Sequence, residues 1–241
     1  MLKLIHADLY KVFHRAYFYV LSLIVLGLSL VLIFGLHNSS APFNSASSAI
    51  QLATECITYP ILLLPCLTDI VMHEEYREHM VKNTLSYGTN RFLLYSAKVL
   101  TSVILGVIMM AVALIVYCGS ASLILQHDAK FTPLLFREFF ARLAAACVVY
   151  IACLAMAAFF STLFSNNALW IFLFYVAFYM SDLLLKLFRL SGGIDYLLKT
   201  QVTNIIKNPV SQLTTPIAIS LVTLAVFFVA GAVLFRRKDV C

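Results

Sequence analysis

Charge is what this sequence has least of. Asp, Glu, Lys and Arg make up only 12% of its 241 residues against 62% hydrophobic, and the mean hydropathy is +0.95. That balance excludes an ordinary soluble core and points to an all-α polytopic membrane protein. Paired cysteines are missing too. Cys56, Cys66, Cys118, Cys147 and Cys153 lie in or beside apolar segments and Cys241 is the last residue, with no C-x-x-C spacing and no prenylation box. Neither a disulfide nor a metal framework is expected. Nucleotide and hydrolase signatures are absent: there is no G-x-x-x-x-G-K-[ST] and no G-x-S-x-G. His73-Glu74-Glu75-Tyr76-Arg77 begins like the zinc motif H-E-x-x-H, but Arg77 stands where the second ligand belongs. No catalytic or metal residue is therefore expected, and the chain itself should not be an enzyme. The net charge of +6 comes from cations at the ends of apolar segments, with no aromatic-basic recognition motif. That is how membrane topology uses Lys and Arg, and it argues against nucleic acid as a partner.

What is present is a succession of long apolar runs. Residues 1–15 place Leu2, Ile5, Leu9, Val12 and Phe13 on one helical face, with Lys3, Lys11, His14 and Arg15 largely on the other. This suits a helix lying in the membrane interface, the alternative being a polar leader to the next helix. Residues 16–36 are uncharged and long enough to cross the roughly 30 Å hydrocarbon layer. They exceed a signal-peptide core and are read as a retained first span. Further spans are expected at 50–72, 99–125, 139–164, 168–190 and 216–235, with an amphipathic segment at 191–215 that should form one or two short interfacial helices. The whole chain is one transmembrane domain of six helices.

The second span carries Pro60 and Pro65 between Glu55 and Asp69. Each proline lacks an amide donor and crowds the preceding turn, so the helix should bend. In a bilayer the freed carbonyls must be met by protein or water, which predicts that this span faces the bundle interior. Asp182 and Lys186, four apart in the fifth span, are placed for an ion pair. The acids Glu55, Asp69 and Asp182 are read either as such anchors near span ends or as functional groups.

Six spans put both termini on one side. With the amino terminus inside, ten Lys and Arg are cytoplasmic and seven are outside, and the first outer loop has none. Both termini are expected in the cytoplasm. The charged passage 73–98, HEEYREHMVKNTLSYGTNRFLLYSAK, is then a cytoplasmic platform between the second and third spans.

Three stretches carry a resemblance. MLKLIHADLYKVFHR resembles the amino-terminal elbow helix of the membrane subunits of type-2 ABC exporters, the permeases of bacterial drug, lantibiotic and bacteriocin-immunity transport. EYREHMVKNTLSYGTNRFLLYSAK resembles that family's first cytoplasmic loop, and the tail FRRKDV its usual ending. Glu75, Tyr76, Asn83, Thr84, Leu85, Gly88, Arg91 and Lys98 match the loop pattern, whereas His79 and Met80 stand where the family commonly has Gly-Thr. The resemblance implies a permease subunit in the cytoplasmic membrane, paired with a second permease chain as a homo- or heterodimer. Its partner would be a separate cytoplasmic ATPase, which would hold the ATP and Mg, so that no cofactor belongs to this chain. The coupling surface would be Glu74, Glu75, Tyr76, Arg77, Asn83, Thr84, Leu85, Gly88 and Arg91. The resemblance also puts an interface near the first, second and fifth spans, and Pro60, Pro65, Asp69 and Asp182 are the candidates for lining a path there for an amphiphilic substrate such as an antimicrobial peptide. An ion- or proton-coupled carrier using Glu55, Asp69 and Asp182, or a non-transporting scaffold or sensor, is the alternative.

Overall fold

The computed structural model describes residues 1–39, 44–73, 90–126, 128, 131–164, 166–189 and 191–237. It is helical throughout, with no strand among the described residues. α1 (Leu2–Phe13) turns at His14 into α2 (Ala16–His37), the first span. The second span is continuous but irregular: α3 (Ala46–Glu55), a 3-10 segment (Cys56–Leu63), α4 (Leu64–Thr68) and a π-helical turn (Asp69–His73). α5 (Arg91–Ile124) and α6 (Pro133–Leu163) are the third and fourth spans. The stretch expected as the fifth span is α7 (Asn167–Tyr179) and α8 (Ser181–Leu187), bent by 65° at Met180. A 3-10 turn (Ser191–Tyr196), α9 (Leu198–Lys207) and a second 3-10 turn (Val210–Gln212) lead to α10 (Thr214–Arg237). Among the described residues, five helical segments are long and apolar enough to cross a membrane, and a sixth if the bent pair counts as one span. The protein is an all-α, multi-pass membrane protein.

Burial decides which helix is central. In α6, 61% of the most apolar window is buried, against 11% in α2, and α6 packs along much of α10. α6 achieves this with small residues: Ala145, Ala146, Ala152, Ala155, Ala157 and Ala158 are almost fully buried, which lets neighbouring backbones approach closely, as is usual between helices in lipid. α2 instead turns Leu23, Leu28, Val31 and Phe34 outward.

The helix ends follow local chemistry. Asn90 caps α5, its side chain accepting from the Phe92 amide at 3.0 Å, and Asn166 caps α7 by accepting from Ala168 at 3.1 Å. Ser45 caps α3. At that same end the Ala46 amide donates to the Gln126 carbonyl (2.9 Å) and the Ser47 hydroxyl to Asp128 (2.7 Å), tying the second span to the far end of the third. The opposite end of the bundle collects α1, the π turn, the first turns of α5, the start of α7 and the end of α10.

The two prolines shape the second span. Pro60 lies in the 3-10 segment and Pro65 at the start of α4. In a 3-10 helix the amide of residue 60 would donate to Ile57 O, and that of residue 65 to Leu62 O. Neither amide exists, and each carbonyl receives a tyrosine hydroxyl instead: Tyr150 of α6 donates to Ile57 O, and Tyr175 of α7 donates to Leu62 O at 2.6 Å. Higher up the same span, Tyr117 of α5 donates to Ala49 O at 2.8 Å. Three neighbouring spans therefore hold the second by its backbone, and the expectation that protein would meet the freed carbonyls is met at these positions.

The bend at Met180 has a different cause, since no proline is near. The Lys199 ammonium donates to the Tyr179 carbonyl at 3.0 Å and to Asp182 Oδ1 at 3.0 Å. A side chain inserted into the helical ladder in this way is a recognised source of kinks. Arg142 of α6 anchors the other end of α9, donating to the Ile205 and Ile206 carbonyls, the latter at 2.7 Å. A cation on the last carbonyls of a helix is favourably placed against its dipole.

Tyr150→Phe leaves the buried Ile57 carbonyl without its donor and is expected to cost about 1–3 kcal/mol. Pro60→Ala restores a backbone amide, so the double variant Pro60→Ala/Tyr150→Phe should recover most of that loss. Thermal unfolding of the four proteins in one detergent reads the coupling directly. Equal losses with and without Pro60 would rule out the link between proline and hydroxyl.

Candidate functional site

At the α1 end of the bundle, polar groups from five elements converge. α1 buries Ile5, Asp8 and Val12 on one face. The spacing of three and four residues puts the carboxylate of Asp8 between two apolar neighbours, where it needs a cation. Lys98, on the third turn of α5, supplies it at 3.0 Å from Asp8 Oδ1, and only 5% and 9% of the Lys and Asp side chains are exposed. The pair locks α1 to the third span. One turn earlier, Tyr95 is fully buried and brings its hydroxyl end against α10, where only a glycine leaves room: a Cβ at Gly231 would fall on the Tyr95 hydroxyl and 2.7 Å from its Cζ. Phe228 and Phe235 close around the same ring at 5.6 and 5.7 Å. At the start of α5, Arg91 donates to the Arg236 carbonyl at 3.0 Å. The first turns of α5 are thus fastened to α1 on one side and to the end of α10 on the other.

Asp69 sits at the π turn, half-buried. Asn167, the first residue of α7, donates from Nδ2 to Asp69 Oδ2 at 3.1 Å, and the fully buried Trp170 donates from its indole to Asn167 Oδ1 at 2.7 Å. This relay joins the end of the second span to the start of the fifth. A π turn widens the helix by one residue per turn and is frequent at functional positions.

The candidate residues fall into separate places. Glu74, Glu75, Tyr76, Arg77, Asn83, Thr84, Leu85 and Gly88 lie outside the described residues. Arg91 and Lys98, at the end of the charged passage, are on the first turns of α5. Pro65 is buried, and Pro60, Asp69 and Asp182 are half-buried. Asp69 and Asp182 are not brought together, because α7 runs its whole length between them. The expected Asp182–Lys186 pair is replaced: once the helix bends at Met180, Asp182 turns to Lys199 at 3.0 Å. No group of three or more His, Cys, Asp or Glu able to hold a metal occurs among the described residues.

The sequence matches no protein-family model and no curated protein.

Asp8, Asn167, Tyr150, Tyr175 and Lys199 join the sequence-predicted residues as groups that hold the helices together. For Asp8 a signal was present, since a lone acid spaced three and four residues from Ile5 and Val12 on an amphipathic helix implies a buried cation. For the others the partner lies on a distant helix and no local pattern names it.

Asp8→Ala should strand the Lys98 ammonium in an apolar site and cost about 3–5 kcal/mol, whereas Asp8→Leu with Lys98→Met removes both charges and should be near neutral. Melting temperatures of the single and double variants decide this. Gly231→Ala should also destabilise, and Tyr95→Phe should rescue it only in part, because removing the hydroxyl, the atom nearest the new Cβ, still leaves Cζ 2.7 Å away.

Proposed function

We propose that this chain is the permease subunit of an ATP-driven exporter, working as a pair of such chains with a separate cytoplasmic ATPase. One observation carries the reading. Arg91 and Lys98, two of the residues through which the charged passage resembles the coupling loop of type-2 ABC exporters, are the two that grip neighbouring helices, Arg91 on the end of α10 and Lys98 on α1. A push on the loop would reach α1, the third span and the sixth span as one body, because packed helices held by buried contacts shift between discrete arrangements and do not deform smoothly. α1 would then be the elbow helix at the cytoplasmic interface, with both termini in the cytoplasm. The Asp69–Asn167–Trp170 relay would pass the same movement to the fifth span. ATP and Mg would be held by the partner, and this chain would hydrolyse nothing.

The ion-coupled carrier has less support. Two of its three acids are engaged structurally, Asp69 by Asn167 and Asp182 by Lys199.

The test is an affinity pull-down of the tagged full chain from its native membrane in mild detergent, comparing wild type with Glu75→Ala/Gly88→Pro. A nucleotide-binding ATPase should accompany the wild type and be lost from the variant. Absence of any such ATPase, or ATP hydrolysis by the purified chain alone, would overturn the reading.

A further inference from the structure

The second span buries one face against its neighbours through Ala49, Ile50, Ile57, Ile61, Leu64 and Leu67. Its other face shows Gln51, Glu55 and Tyr59 in succession, all exposed, Tyr59 to 63%. The helix begins at Ala46 and not at residue 50, so Glu55 is its tenth residue, about 15 Å along the axis from the Ser45 cap. It stands in the third turn of the helix and not on its first, where an end anchor would sit. Four other described acids have partners: Asp8 has Lys98, Asp69 has Asn167, Asp128 has Ser47 and Asp182 has Lys199, while Glu138 lies within the first two turns of α6 and Asp195 in the 3-10 turn outside the spans. Glu55 has no ion pair or hydrogen bond with any described residue.

A carboxylate flanked by an amide and a phenol is a poor surface for lipid, because charged groups within spans face water or a partner. The chemistry of what meets this face is set by what surrounds Glu55. No Lys or Arg occurs anywhere between Arg15 and Arg77, so the first and second spans offer no cation to neutralise it. α7, whose Tyr175 reaches across to Leu62 O, carries no charged residue at all. The face therefore presents one negative charge, an amide, and the π surface of Tyr59 beside the exposed Leu62. A positive charge on an apolar body answers all four features, the charge on Glu55 and the body over the ring.

We propose that Glu55, with Gln51 and Tyr59, is the recognition site for an organic cation with an apolar body, and that this is the class of substrate the exporter moves. The assignment of transport rests on the exporter reading; the binding of the cation does not. The probe is tetraphenylphosphonium, with tetraphenylborate as its near-isosteric anion, titrated onto the full chain in discs of neutral lipid. Wild type should bind the cation saturably and the anion not. Glu55→Gln should weaken cation binding at least tenfold, and Tyr59→Leu about fivefold, the loss of an exposed cation–π contact. Glu55→Lys should lose the cation and acquire saturable binding of the anion, a gain that misfolding cannot produce. No saturable cation binding by wild type, equal binding of both ions, or unchanged cation binding by Glu55→Gln would overturn the proposal. Cation binding that follows Glu55 without a co-purifying ATPase would retain the site and remove the exporter. A co-purifying ATPase with cation binding indifferent to Glu55 would do the reverse.

Discussion

A backbone carbonyl that loses its amide partner inside a bilayer has no water to turn to, and the second span has two prolines that create this situation. The fold answers with phenol hydroxyls carried by other helices. Tyr150 reaches Ile57 from the fourth span and Tyr175 reaches Leu62 from the fifth, so the irregular helix is held in place by the groups that satisfy it. Much else depends on this. The small-residue surface of α6 lets Tyr150 come close enough, and the second span, once fixed, presents Asp69 to Asn167 at one end and Ser47 to Asp128 at the other.

Electrostatics play a complementary part. Few charges are available, and most of the buried ones make helix-to-helix attachments that hydrophobic contact alone would leave unregistered. Lipid tails are as apolar as leucine, so apolar faces in a membrane do not by themselves specify a neighbour. The Asp8–Lys98 pair, the Lys199 contacts at the Met180 bend and Arg142 on the end of α9 each name one neighbour and one register. A buried pair adds little net stability over apolar replacements, so its value here is specificity of placement.

Helix positions were legible in the sequence because long apolar runs, Asn and Ser caps and the amphipathic period of residues 1–15 are local signals. The need for carbonyl partners at Pro60 and Pro65 was legible for the same reason, although the tyrosines that answer it were not. Pairings were hidden wherever the partner is far away in the chain, ninety residues in the case of Asp8 and Lys98. The bend at Met180 escaped because its cause is a lysine on another helix, with neither proline nor glycine to mark it. Lys98 was read as the edge of a charged loop, and its burial became apparent only when α1 was seen lying against it.

The 3-10 segment of the second span also stores length. Eight residues in that conformation rise about 16 Å, whereas an α-helix of the same eight rises about 12 Å. Rewinding the segment would draw the π turn, and Asp69 with it, some 4 Å along the helix axis while every residue kept its order and its neighbours on the chain. The second span is in effect a telescoping strut between two ends of the bundle, latched by two phenol hydroxyls.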